Sequence, residues 1–153
     1  MNPMSYADTA LTLFMEGYNC AQVVFAAFAP VLGMNQTDAL RVSMGLGGGV
    51  GRMREVCGTV SGAAMVLGAL YGGDDHKDKT AAYTEVRKFA DVFREHHGTI
   101  VCRELLHKLP GEKEGPQASE RNAEFYAKRP CARLVFDAAQ ILEDMLRADG
   151  KIG

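Results

Sequence analysis

Residues 54–73 read REVCGTVSGAAMVLGALYGG, and no formal charge interrupts the run from Cys57 to Gly73. A membrane span needs about 20 predominantly apolar residues. This run falls short of that and is rich in Gly, Ser and Thr. It therefore reads as a helix buried inside a protein, from Gly58 to about Tyr71. Gly58, Gly62 and Gly68 each cost such a helix roughly 1 kcal/mol relative to alanine. A solvated helix would gain nothing in return, whereas a buried one gains the close approach of a second backbone. The stretch predicts a central helix with others packed around it.

Outward from it, apolar residues recur at helical spacing, and no long strand-type alternation appears. Ser5 can cap a first helix through Leu11, Phe14 and Met15, which Gly17 stops. Asn19 can cap a second, with Val24, Ala27, Phe28 and Val31 inward and Pro30 at a kink or in its last turns. Asn35 or Thr37 caps a third. After the polar link DDHKDKT, a long helix places Tyr83, Val86, Phe89, Ala90 and Phe93 on one face. His96, His97 and Gly98 suit its C-terminus. CRELLHKL (102–109) reads as a short helix, PGEKEGPQAS (110–119) as a surface loop, and ERNAEFYAKR (120–129) as a further short helix. Pro130 opens the last, with Leu134, Ala138, Ile141, Leu142 and Met145 inward. Met44, Met53 and Met65 read as core filling. The sum is an all-α domain over residues 1–153, a compact bundle of about six or seven helices.

A chain of 153 residues can bury about 68–70% of its unfolded surface, so it needs no staples to build a core. The net charge of −2 gives no electrostatic case for nucleic acid or an anionic membrane. The N-terminal MNPMSYADTALTLF lacks the pattern of a secretory signal, so the expected setting is cytoplasmic. In that reducing setting four cysteines are metal-binding, catalytic or inert rather than disulfide-bonded. No nucleophile triad or paired carboxylates stand out, which leaves no case for hydrolysis. Broad apolar helix faces leave a homo-oligomer possible.

Cys20, Cys57, Cys102 and Cys131 each fall, on this reading, in the first turn of a helix. A helix N-terminus presents unpaired N–H groups and the positive end of the dipole. It stabilises a thiolate, the form that binds metal and attacks disulfides. No Cys-x-x-Cys pair occurs, so the four can meet only by folding. Together they could hold an iron–sulfur cluster, hold zinc tetrahedrally, or work as dithiol pairs. The plain alternative is four inert core thiols.

The block Gly45, Gly47, Gly48, Gly49, Gly51 does not fit a phosphate loop, because Arg52-Met53 stands where Lys and Ser/Thr are needed. Gly47, Gly48, Gly49 and Gly58 are read as points where the backbone passes close to the site. Arg52 and Arg54 could offset thiolate or cluster charge, and Arg103 and Glu104 could tune Cys102. Of His76, His96, His97 and His107, only His107, five residues after Cys102, is placed to approach the site edge.

The segments GYNCAQVV, GLGGGVGRMREVCGTVSGAAMVLG, IVCRELL and RPCARLVFDAAQILEDML resemble the C_GCAxxG_C_C family, proteins grouped by four separated cysteines and assigned redox chemistry. The resemblance runs from about residue 6 to 147. Thr59 stands where the family's alanine follows Cys-Gly. The resemblance implies a helical protein, redox or metal chemistry, and Cys20, Cys57, Cys102 and Cys131 as the family's positions. Of the functional forms, an iron–sulfur cluster for electron transfer or redox sensing is favoured, served by a redox partner protein. Structural zinc is less needed in a chain that makes its own core, and helix N-termini suit a net-negative cluster. A metal-free thiol–disulfide oxidoreductase and a zinc-stabilised interaction module are the alternatives.

Overall fold

The computed structural model describes residues 4–106 and 115–153. Among them the chain forms eight α-helices and no strands, against the six or seven helices expected. No described helix is long and apolar enough to cross a membrane.

Helix α1 (Tyr6–Met15) starts where Ser5 accepts the Asp8 N–H through its hydroxyl. Helix α2 (Cys20–Ala27) starts in a reciprocal capping box: the Asn19 side chain accepts the Gln22 N–H, and the Gln22 side chain accepts the Asn19 N–H. This satisfies two of the four amides that a helix start leaves unpaired. Pro30 does not kink α2 but sits just beyond it, in a 3₁₀ turn over Ala29–Leu32. Asn35, not Thr37, caps α3 (Gln36–Ser43). The buried uncharged run becomes α4 (Gly58–Leu67), prolonged by a π-helical turn over Gly68–Gly72. Helix α5 (Lys79–His97) ends at Gly98 in the left-handed region. Short helices α6 (Cys102–Leu106) and α7 (Ala123–Lys128) precede the long α8 (Cys131–Ala148). Most of the loop expected at 110–119 and the end of the CRELLHKL helix lie outside the described residues.

One difference from expectation lies at the centre of the core. Helix α2, rather than α4, is buried on every side, from Ala21 through Ala27. Helix α4 packs directly on it. A β-carbon added at Gly62 would stand 2.8 Å from the Ala21 carbonyl oxygen, so that glycine lets two helix backbones touch. Phe14 of α1, Phe28, Phe89 and Phe93 of α5 and Leu142 and Leu146 of α8 are fully or almost fully buried around this pair. Each such side chain contributes roughly 1.5–3 kcal/mol by leaving water. Buried Gln22 is paired through Nε2 to the Leu40 carbonyl, which ties α3 to α2 without leaving an orphaned amide.

Some expected core positions lie at the surface. Tyr83, Met44 and Met53 are exposed, while Met65 packs against the core. Tyr83 lies near the start of α5, whose fully buried positions begin only at Phe89. Met44 and Met53 flank the glycine-rich loop, whose path was not readable from periodicity.

Candidate functional site

Each cysteine lies at a helix start, as the sequence suggested. Cys20, Cys102 and Cys131 are the first residues of α2, α6 and α8, and Cys57 is the N-cap of α4. All four line one pocket of about 70 Å³. That space can hold an ion, a small inorganic group or a few waters.

Two pieces of irregular backbone build the pocket. The first is a short antiparallel contact between Val56 and Val101. The Cys57 N–H donates to the Ile100 carbonyl at 2.8 Å, and the Cys102 N–H donates to the Glu55 carbonyl at 2.6 Å. Cys57 and Cys102 are thereby fixed on neighbouring strand-like segments. The second is the loop after α3. Its turns place Gly48, Gly49 and Gly51 in the left-handed region, and also Val50, Arg52 and Arg54. Three non-glycine residues there cost on the order of 1–3 kcal/mol each, and such outliers collect at functional sites. The loop is held by its own amides, among them Arg54 N–H to the Gly48 carbonyl at 3.0 Å and Glu55 N–H to the Gly49 carbonyl at 2.9 Å.

The four thiols have unequal electrostatics. Cys20 is lowered from 9.0 to about 6. The largest cause is a hydrogen bond from the Cys57 thiol; the amides of Gly48, Ala21 and Gly58 also favour the anion, and together these overcome the cost of burial. Cys57 moves well above 9.0, because it donates to Cys20 and is buried, although Thr59 Oγ1 at 3.1 Å partly opposes this. Burial raises Cys102, opposed by Arg54, whose Nη1 lies 3.8 Å from the sulfur. Burial and the Cys20 charge push Cys131 up to about 12, against the pull of Arg129 and Arg121. At neutral pH, then, Cys20 is the thiolate and the other three are thiols.

Three guanidinium groups line the pocket, those of Arg54, Arg121 and Arg129, and among the described residues no carboxylate does. Arg54 is buried. Arg121 stacks on Phe14 and Phe125, each 4.6 Å from the ring centre, and donates to the carbonyls of Phe14 and Tyr18. Arg129 also stacks on Phe125, 4.6 Å from its ring centre. The sequence reading missed Arg121, Arg129 and Phe125. Arg129 had a signal, standing two residues before Cys131 at the start of a helix; Arg121 had none.

The other expected residues divide. Gly48 lines the pocket, and Gly58 presses on Cys20 from beneath it. Gly47 packs on the Asn19 side chain and Gly49 on the Arg54–Glu55 backbone, so these two shape the loop and not the pocket wall. Arg52 turns outward to the Gly115 carbonyl and Ser119. Arg103 does not face the cysteines. It clamps the loop, donating to the carbonyls of Arg54 and Met53 and to the Glu55 carboxylate. Glu104 accepts from Thr99. His76, His96 and His97 do not line the pocket, and His107 lies outside the described residues. Among the described residues no three Cys, His, Asp or Glu side chains stand grouped as metal ligands. The four thiols thus share a pocket while Cys20 and Cys57 engage each other.

Thr59 also has a consequence beyond the helix start. It leaves α4 starting at Gly58, but it brings a hydroxyl to Cys57 that alanine would lack.

The profile of the family described as "Putative redox-active protein (C_GCAxxG_C_C)" matches residues 18–145. No curated protein and no solved structure matches the chain.

Proposed function

We propose that this chain, which belongs to the C_GCAxxG_C_C family, is a small redox protein that holds an iron–sulfur cluster on Cys20, Cys57, Cys102 and Cys131 and exchanges electrons with a partner protein. The observation that carries this reading is the shared pocket, in which four thiols from four helix starts meet three arginines and no described carboxylate. The donor set fits. Cysteine sulfur is the normal ligand of such clusters, and hydrogen bonds to sulfur together with nearby positive charge raise their potential. A bound cluster would supply one-electron chemistry. The chain's own part is to hold anionic sulfur. Gly48, Ala21 and Gly58 offer amides to Cys20, Arg54 offers a guanidinium to Cys102, and Arg121 and Arg129 favour an anion at Cys131. Zinc would use the same four sulfurs, but the buried core spanning α1, α2, α4, α5 and α8 gives the fold little need of it.

Anaerobic reconstitution with ferrous iron and sulfide, followed by visible absorption, tests the reading. Broad absorption that bleaches on reduction supports it. A colourless product, with zinc bound instead, would overturn it.

A second reading rests on the Cys20–Cys57 contact. A thiolate hydrogen-bonded to a thiol is poised for exchange. In this form the Cys20 thiolate attacks a disulfide of the partner and displaces one of its sulfurs as a thiolate. Cys57 then loses its proton and attacks Cys20, releasing the second sulfur. The partner gains two electrons, and a Cys20–Cys57 disulfide forms. Mass mapping of that bond after mild oxidation of metal-free protein would support this form. Mapping to any other pair would exclude it.

A further inference from the structure

The size of the cysteine pocket limits what can react in it. Its volume of about 70 Å³ exceeds the roughly 10–15 Å³ that one water needs, so it takes a molecule of a few non-hydrogen atoms. Phe14, Leu105, Leu106, Phe125 and Leu134 give it apolar walls. A wider cavity of about 500 Å³ adjoins it, with Asn19, Gly48 and Phe125 lining both, which gives a small solute a way in. Of the two cysteines that engage each other, Cys20 is partly exposed and Cys57 is buried. An incoming molecule therefore meets Cys20 first.

The backbone around Cys20 is arranged for a reacting sulfur. Amides of Ala21, Gly48 and Gly58 donate to it from α2, the glycine-rich loop and α4. Gly48 sits in the left-handed region at φ 65°, and a β-carbon there would stand 2.8 Å from the Arg52 α-carbon. A side chain at 48 would thus displace the turn that carries this amide to the sulfur. Donors fixed before a reaction stabilise charge without reorganising. The left-handed angles of Val50, Arg52 and Arg54 then hold a donor at a reacting atom, a use such strain commonly has. Cys57 completes the arrangement. Its thiol donates to Cys20, and Thr59 Oγ1 lies 3.1 Å from its sulfur.

We propose that in metal-free protein the pocket is a hydrogen peroxide site, with Cys20 as the attacking sulfur and Cys57 as the resolving one. The Cys20 thiolate attacks one peroxide oxygen, the O–O bond breaks and hydroxide leaves, which gives a sulfenic acid on Cys20. The Cys57 sulfur then attacks the Cys20 sulfur. The S–O bond breaks, and the hydroxyl departs as water with the Cys57 proton. Peroxide gains two electrons, the two thiols lose them, and a Cys20–Cys57 disulfide forms. An external dithiol reduces that bond by exchange and restores both thiols. This activity rests on the dithiol reading above and needs no cluster.

Peroxide consumption by the reduced, metal-free full chain at pH 7, with free cysteine as reference, reads the first step. The chain should react about a hundredfold faster or more, the scale of a preorganised donor, and Cys20→Ser should lose that excess. Cys57→Ser should still react and accumulate the sulfenic acid, captured on Cys20 by dimedone and located by mass mapping. Wild type should instead give the Cys20–Cys57 disulfide. Cumene hydroperoxide reads the size limit: relative to free cysteine it should react about tenfold or more slowly than hydrogen peroxide, because it overfills the pocket. A wild-type rate no greater than that of free cysteine, dimedone on another cysteine, or no preference for hydrogen peroxide would overturn the proposal. If a variant fails to fold, the wild-type rate and the cysteine pair mapped after one equivalent of peroxide decide. Diamide, an oxidant of thiols, separates the two ideas. A Cys20–Cys57 disulfide formed by diamide, with a peroxide rate no greater than that of free cysteine, removes the peroxide activity and leaves the dithiol reading standing. If neither oxidant joins these two cysteines, both fall.

Discussion

Gly58 lies directly against Cys20: a β-carbon at position 58 would overlap the Cys20 sulfur and stand 2.9 Å from the Ala21 backbone nitrogen. The first glycine of the uncharged helix is therefore what allows α4 and α2 to bring their cysteines together. Gly68, in the same run, has open space where its β-carbon would be.

The two glycines should respond oppositely to alanine. Gly58→Ala forces the helices apart and should cost about 1–3 kcal/mol, as overpacking does. Gly68→Ala relieves a helix-interior glycine and should be neutral or stabilising by up to about 1 kcal/mol. Thermal denaturation of both variants checks this, and a Gly58→Ala protein as stable as wild type would refute the close approach.

In metal-free protein, Cys20 alkylation should rise through a midpoint near pH 6, since its thiol is lowered to about 6. Cys57, Cys102 and Cys131, all raised, should react only at alkaline pH. The same shift has a stability sign. With a folded value near 6 against 9.0 unfolded, the folded state binds fewer protons between those values, so the Cys20 contribution grows as pH rises from 6 to 9 and is lost as pH falls through 6. Peptide mapping of label against pH reads the reactivities, and equal labelling of the four cysteines at pH 7 would contradict the polarity.

Thr59→Ala should leave α4 intact and make Cys57 less acidic, because it removes the hydroxyl 3.1 Å from that sulfur. The effect is read most simply in a Cys20→Ser background, where Cys57 no longer donates to a neighbouring thiolate. Slower Cys57 alkylation at a given alkaline pH is expected. An unchanged rate would mean the hydroxyl serves only packing.

Metal loading should release protons. At neutral pH three of the four thiols hold theirs, so binding one metal centre through four thiolates should expel about three protons per chain, with affinity falling steeply as pH falls. Titration with zinc in weak buffer at pH 7 measures this, and release of one proton or fewer would exclude four-thiolate ligation.

Much of this was legible in the sequence because it rests on local chemistry. Asn19 before Cys20 and Gln22 after it fix a helix start whatever the tertiary fold, and Pro130 before Cys131 does the same. The all-α class followed from apolar spacing, and the buried run from its lack of charge. What could not be read were contacts between distant segments. The Val56–Val101 contact that puts Cys57 and Cys102 on neighbouring segments has no local signature. Arg121 reaches the pocket only because its guanidinium stacks on Phe14, more than a hundred residues away along the chain. Val50, Arg52 and Arg54 adopt left-handed backbone angles that their side chains disfavour, so propensity argued against the loop's real path. Arg52 and Arg54, two residues apart, look alike in the sequence, yet the loop turns one toward Gly115 and Ser119 and buries the other.

The central claim is that Cys20, Cys57, Cys102 and Cys131 form one redox centre. The most direct test is iron and acid-labile sulfide per chain in anaerobically purified wild type and in the four single Cys→Ser variants. The account predicts both elements in wild type and their loss in every variant, Cys131→Ser included. Wild-type protein without iron or sulfide even after anaerobic reconstitution, or variants that keep the wild-type content, would contradict it.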